Sequence, residues 1–153
     1  ILHRTLATGQ QRKGRVAPSI SPSMDIQVSS NFERVLFDAY GRDGATVAAQ
    51  MRALGAEGGF DVGQGALQFL REHFDSGRAS EEETTATITR TLARTGELLC
   101  PHTAVGVHVA EQRLGAVPMV TLATAHPAKF PAAVQAATGI RPPLPPRMAD
   151  LYD

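Results

Sequence analysis

The sequence predicts an α/β fold that is mostly helical, with few strands of a larger sheet. Three observations predict it. Amphipathic windows punctuated by glycine fill the middle of the chain, the last third reads helix–strand–helix, and Met119–Thr124 is the one convincing strand. A lone buried strand cannot satisfy its own backbone N–H and C=O groups, so most of its sheet is expected outside this sequence.

Composition narrows the class. A chain of 153 residues can bury a real core, and 42% hydrophobic with 20% charged residues is the balance of a soluble globular protein. The formal net charge is zero, so no long-range field favours nucleic acid or an anionic membrane surface. No apolar run approaches about 18 residues, so no membrane span is expected, and no secretory signal is visible. Cys100 is the single cysteine; an internal disulfide is excluded and a reducing cytoplasm fits. The opening Ile1-Leu2-His3-Arg4 reads as the middle of an amphipathic element, which makes the chain look incomplete. Lys13 and Lys129 are its two lysines, a sharp restriction on any chemistry that needs an amine.

The elements follow in order. Gly9, Gly14, Pro18 and Pro22 break any period across residues 9–23, which read as loop. Ser30 and Glu33 have capping-box spacing, and Phe32, Val35, Leu36, Ala39 and Tyr40 then predict a helix over about 31–40 that Gly41 stops. Further helices are expected over 44–54 and 64–75, separated by a connector at Gly58-Gly59. Ser80-Glu81-Glu82-Glu83 is a second capping box, opening a helix that runs to Gly96. After the Pro-broken run 98–103 a helix over 103–113 is expected, then the buried strand 119–124. Pro127 suits the first turn of a last helix, with Phe130, Val134 and Ala137 on its apolar face. The Pro-rich tail 141–147 reads as extended, and it superficially matches a ligand for aromatic grooves.

Three loops could carry chemistry. Ligands of open α/β sheets collect at the carboxyl ends of strands, which singles out Thr124-Ala125-His126-Pro127; Thr124 could meet a ligand heteroatom, or simply cap the next helix. Cys100-Pro101-His102-Thr103 feeds a helix, but one Cys and one His do not make a metal site, and an inert buried thiol is the plainer reading of Cys100. Ser21–Arg34 places hydroxyls, an amide and a guanidinium near a helix N-terminus, suited to an anion or to an ordinary capped helix. The residues alone stop there, short of a reaction.

At these same places the chain resembles the threonine synthase family, in the branch with a long helical insert near the C-terminus. The resemblance rests on SPSMDIQVSSNFERVLFD (21–38), PHTAVGVHVA (101–110) and PMVTLATAHPAKFPAAV (118–134), with SEEET (80–84) and LPPRMADL (144–151) in support. It covers almost the whole chain, and three long stretches in one order are specific. It implies the C-terminal portion of a fold type II pyridoxal-phosphate enzyme, with a helical region over 24–96 and a return to the cofactor-binding α/β domain over 97–153. The reaction implied is conversion of O-phospho-L-homoserine and water to L-threonine and phosphate, with pyridoxal 5'-phosphate as cofactor.

Carried over by residue, the resemblance places Thr124 at the pyridine nitrogen of the cofactor. His102 and Thr103 fall in a loop lining the cleft, and Ser29, Asn31 and Arg34 fall in a block that could serve the substrate. The Schiff-base lysine and the Gly-rich phosphate loop lie upstream of the part matched here, so no catalytic residue is assigned, and Lys129 matches a lysine outside that motif. The implied partner is accordingly the N-terminal part of the enzyme. Where the family usually has Asp before PHTAVG, this chain has Cys100. The competing reading is a non-catalytic remnant acting as a binding or interaction module.

Overall fold

A computed structural model describes residues 1–151, which form two compact units. The first comprises Ile1–Ala17 and Asp25–Gly77, the second Pro18–Met24 and, among the described residues, 78–151. The described residues are mostly helical, with a single two-stranded sheet.

In the first unit, helix α1 (Leu2–Thr8) turns at Gly9, whose left-handed backbone (φ 76°) lets its N–H reach the Thr5 carbonyl at 2.7 Å. Strand β1 (Gln10–Arg12) follows, then α2 (Phe32–Ala39), α3 (Gly44–Ala56), β2 (Gly59–Asp61) and α4 (Gln64–His73). β1 and β2 are antiparallel, with Gln11 opposite Phe60. Both strands fall where the sequence reads as loop or connector. Three-residue strands show no periodicity, and their partners lie far apart in sequence. Phe32 and Leu36 from α2, Leu54 from α3, Phe60 and Val62, and Leu67 and Leu70 from α4 form the apolar core. The Asp43 carboxylate caps α3 by accepting from the Ala45 and Thr46 amides.

The Ser30–Glu33 capping box does not form. Asn31 already has helical dihedrals (φ −76°, ψ −22°) and occupies the N-cap, while the Phe32 amide donates to the Ser29 carbonyl at 3.1 Å. Helix entry at Asn31 takes Ser30 out of the capping position.

The second unit is built on α5 (Glu81–Thr95), α6 (Pro101–Glu111) and α7 (Pro131–Thr138), with one-turn 3-10 helices at Pro22–Met24, Pro127–Lys129 and Pro146–Met148. Here the capping box does form: Ser80 Oγ accepts from the Glu83 amide at 3.1 Å, and Glu83 Oε2 accepts from the Ser80 amide at 2.7 Å. Ile88 of α5, Ala104 of α6 and Val134 of α7 are fully buried. Glu111 of α6 receives Arg90 and Arg94 of α5, and Thr89 of α5 donates to the Ala137 carbonyl of α7 at 2.7 Å.

The run 119–124 is not a buried strand in this structure. It forms neither helix nor strand and has no ladder partner among the described residues, and Val120 and Leu122 are 79% and 75% exposed. The reason is the one that makes a lone strand unstable: among the described residues no neighbouring strand takes up its backbone groups. No helix among the described residues is long and apolar enough to cross a membrane.

Candidate functional site

The second unit brings together three of the residues that the sequence singles out. The first turn of α6 is set by Pro101 at its first position, with Cys100 as N-cap. Cys100 Sγ takes the place of a capping oxygen, accepting from the Thr103 amide at 3.4 Å. It also lies 3.2 Å from Thr103 Oγ1, where either group can supply the proton. Cys100, His102 and Thr103 are all buried.

His102 is anchored rather than exposed. Its Nε2 accepts from the Ser23 amide at 3.0 Å, and its ring lies 4.6 Å from that of Phe130, tilted by 52°. An accepting Nε2 places the proton of a neutral ring on Nδ1. The segment 18–24 is thus tied to α6 at His102 and to α5 at Glu81, whose carboxylate accepts from the Ile20 amide at 2.9 Å.

Thr124 meets the same turn of α6. Its backbone N–H donates to Thr103 Oγ1 at 3.1 Å, while the residue itself is exposed. One turn further along α6 the fit is steric: a Cβ on Gly106 would lie 3.2 Å from the Thr121 methyl. The segment 121–124 therefore runs against α6 at two points three residues apart on each side. Just beyond, His126 Nδ1 accepts from the Ala128 amide at 3.2 Å, capping the 3-10 turn that carries exposed Lys129. Every hydrogen bond described at Cys100, Thr103 and Thr124 is to a neutral group.

The other three residues lie in the first unit. Arg34 Nη2 donates to Asn31 Oδ1 at 2.8 Å, and both line a groove of about 460 Å³ with Asp38, Phe69 and His73. Phe69 and His73 are stacked at 4.3 Å. Ser29 is half-buried and uses its carbonyl to hold the start of α2. Among the described residues, no group of three or more His, Cys, Asp or Glu could hold a metal ion.

Two participants were not legible as such in the sequence. Cys100 reads as an inert thiol, although a residue before Pro-X-Thr sits where an N-cap belongs. Ser23 contributes only its amide, which carries no side-chain signal.

A family model described as "Threonine synthase, C-terminal" matches residues 103–153, of which the last two lie outside the described residues. The chain is 49% identical to the threonine synthase of Pseudomonas aeruginosa, over 100% of this chain and 33% of that protein. It is 41% identical to the threonine synthase of Corynebacterium glutamicum, over 87% of this chain and 29% of that one. Its fold matches the crystal structure of pyridoxal-phosphate-bound threonine synthase from Brucella melitensis with a TM-score of 0.91 and 52% identity, covering 98% of this chain and 32% of that one. The chain thus spans about a third of the length of the relatives it matches.

Proposed function

Because this chain carries the C-terminal region of the threonine synthase family, we propose that it forms one wall of the cofactor cleft of such an enzyme. The whole enzyme converts O-phospho-L-homoserine and water to L-threonine and phosphate in the cytoplasm. In this reading residues 24–96 are the helical region, and residues 97–153 return to the cofactor-binding domain.

The observation that carries the reading is Thr124: its backbone is fastened to α6 and its side chain is presented at the surface. A hydroxyl there can hydrogen-bond a pyridine nitrogen without enforcing its protonation, and the neutral bonds around it suit that partner. When bound, pyridoxal 5'-phosphate supplies the electron sink for the carbanion chemistry. The Schiff-base lysine and the loop that cradles the cofactor phosphate belong to the other two thirds of the enzyme. That remainder also provides the neighbouring strands for 119–124, whose exposed Val120 and Leu122 are then covered. Ser29, Asn31 and Arg34 are the residues we assign to the substrate side, Arg34 as the one cation among them able to meet a phosphate.

The test joins this chain to the first two thirds of the Pseudomonas aeruginosa relative and measures threonine and phosphate formation. We expect activity in the joined enzyme and none in the 153-residue chain alone. A folded, cofactor-loaded hybrid without activity would count against the proposal, and so would phosphate release by the chain alone.

A further inference from the structure

We infer that Thr103 is a positioning residue for the cofactor site, holding Thr124 in place through the backbone while Cys100 fixes the Thr103 side chain. The inference rests on the reading of Thr124 as the group that meets the cofactor ring.

A side chain can be aimed only if its Cα is fixed. Thr124 lies in a segment outside any helix or strand, with no ladder partner among the described residues, so its position depends on what the segment touches. The Thr103 hydroxyl accepts the Thr124 amide proton at 3.1 Å from a residue only 4% exposed. Thr103 is in turn constrained twice by the same sulfur, through its amide at 3.4 Å and its hydroxyl at 3.2 Å. Cys100 is 1% exposed and sits at the rigid N-terminus of α6, so neither group can swing into solvent. The Thr121 methyl lies within 3.2 Å of where a Cβ on Gly106 would stand, so the segment has a second point of close approach to α6 one turn from the Thr103–Thr124 bond. The result is a relay of fixed geometry from a helix N-cap to a ligand-facing hydroxyl. Thr103 itself touches no substrate in this account; it acts through Thr124.

The experiment uses the full-length holoenzyme carrying this segment, with two readouts besides activity. The first is hydrogen exchange at the Thr124 amide; the second is cofactor affinity and absorption maximum. Thr103→Val keeps the shape and removes the acceptor. It should speed Thr124 exchange about 5- to 10-fold, the equivalent of one ordinary hydrogen bond. It should also weaken cofactor binding and shift the absorption band, while Thr103→Ser restores both. Cys100→Ala should move the same readouts in the same direction, less far. If Thr103→Val leaves Thr124 exchange unchanged, the positioning role is overturned. If exchange rises while affinity and spectrum stay put, and Thr124→Val does change them, the bond is structural only and the inference again fails. If Thr124→Val also changes neither, the cofactor reading of Thr124 falls, and the inference that rests on it falls with it.

Discussion

Consider a single methyl added to β2 by Gly59→Ala. A Cβ at this position would lie 2.5 Å from the Gln11 carbonyl oxygen, with Arg12 Cα at 3.0 Å. A carbon ordinarily rests no closer than about 3.3 Å to a carbonyl oxygen, so β1 would have to retreat by about 0.8 Å. Arg12 Cδ, at 2.9 Å, can swing aside, but the other two obstructing atoms are main chain and no rotamer change relieves them. The ladder holds only three residue pairs, so a retreat at one end disturbs all of it. Overpacking strain of about 1–3 kcal/mol and a lost ladder hydrogen bond of about 1 kcal/mol give a destabilisation of about 2–4 kcal/mol. The control is the same chemical change where space is open. Gly55 lies in the last turns of α3 with nothing within 4 Å of an added Cβ. Gly55→Ala should stabilise by up to about 0.5–1 kcal/mol through backbone entropy. Urea unfolding monitored at constant slope separates the two: the midpoint should fall for Gly59→Ala and rise for Gly55→Ala. Equal shifts of one sign would refute the claim that close backbone approach, rather than glycine content, governs position 59.

Two further outcomes are expected. Glu111→Gln should lower stability by about 1 kcal/mol at most, since the arginine partners are 42% and 65% exposed and solvent screens the pairs; a double-mutant cycle with Arg90→Met should return a coupling that shrinks in high salt. Hydrogen bonding holds two capping carboxyls below the usual carboxylate range, Asp43 chiefly through the Thr46 hydroxyl and Glu83 chiefly through the Ser80 amide. A depressed folded-state value means that the stabilisation is complete above the unfolded-state pKa and disappears as pH falls through the folded one. Helical circular dichroism should therefore decline over roughly pH 5 to 2, and less steeply in a variant carrying Asp43→Asn and Glu83→Gln.

Local chemistry was legible in the residues, and long-range pairing was not. Ser80 and Glu83 announce a capping box because both halves of the motif lie within one turn. Ser30 and Glu33 have the same spacing, yet helix entry at Asn31 denies Ser30 its role. The helices over residues 32–73 follow from the spacing of Phe32, Leu36, Leu54, Leu67 and Leu70, which close the core. Met119–Thr124 has the composition of a buried strand, but burial requires neighbours that composition cannot supply. At the site, Thr124 stands out from its place before His126-Pro127. The bonds that fix it come from Thr103, twenty-one residues away, and from a sulfur standing in for a capping oxygen.

The short stretch Pro18–Met24 has a consequence for modularity. It belongs with the second unit, although its flanks on both sides belong with the first. The polypeptide therefore passes between the units three times, and no single cut in the chain can separate them cleanly. A break after Gly77 would leave the Ser23 amide on one piece and its His102 acceptor on the other, and would part Ile20 from Glu81 in the same way. Exchange of the second unit between relatives, in the laboratory or by recombination, requires residues 18–24 to travel with residues 78–151. A swap made at one junction inherits its helix anchors from a foreign sequence.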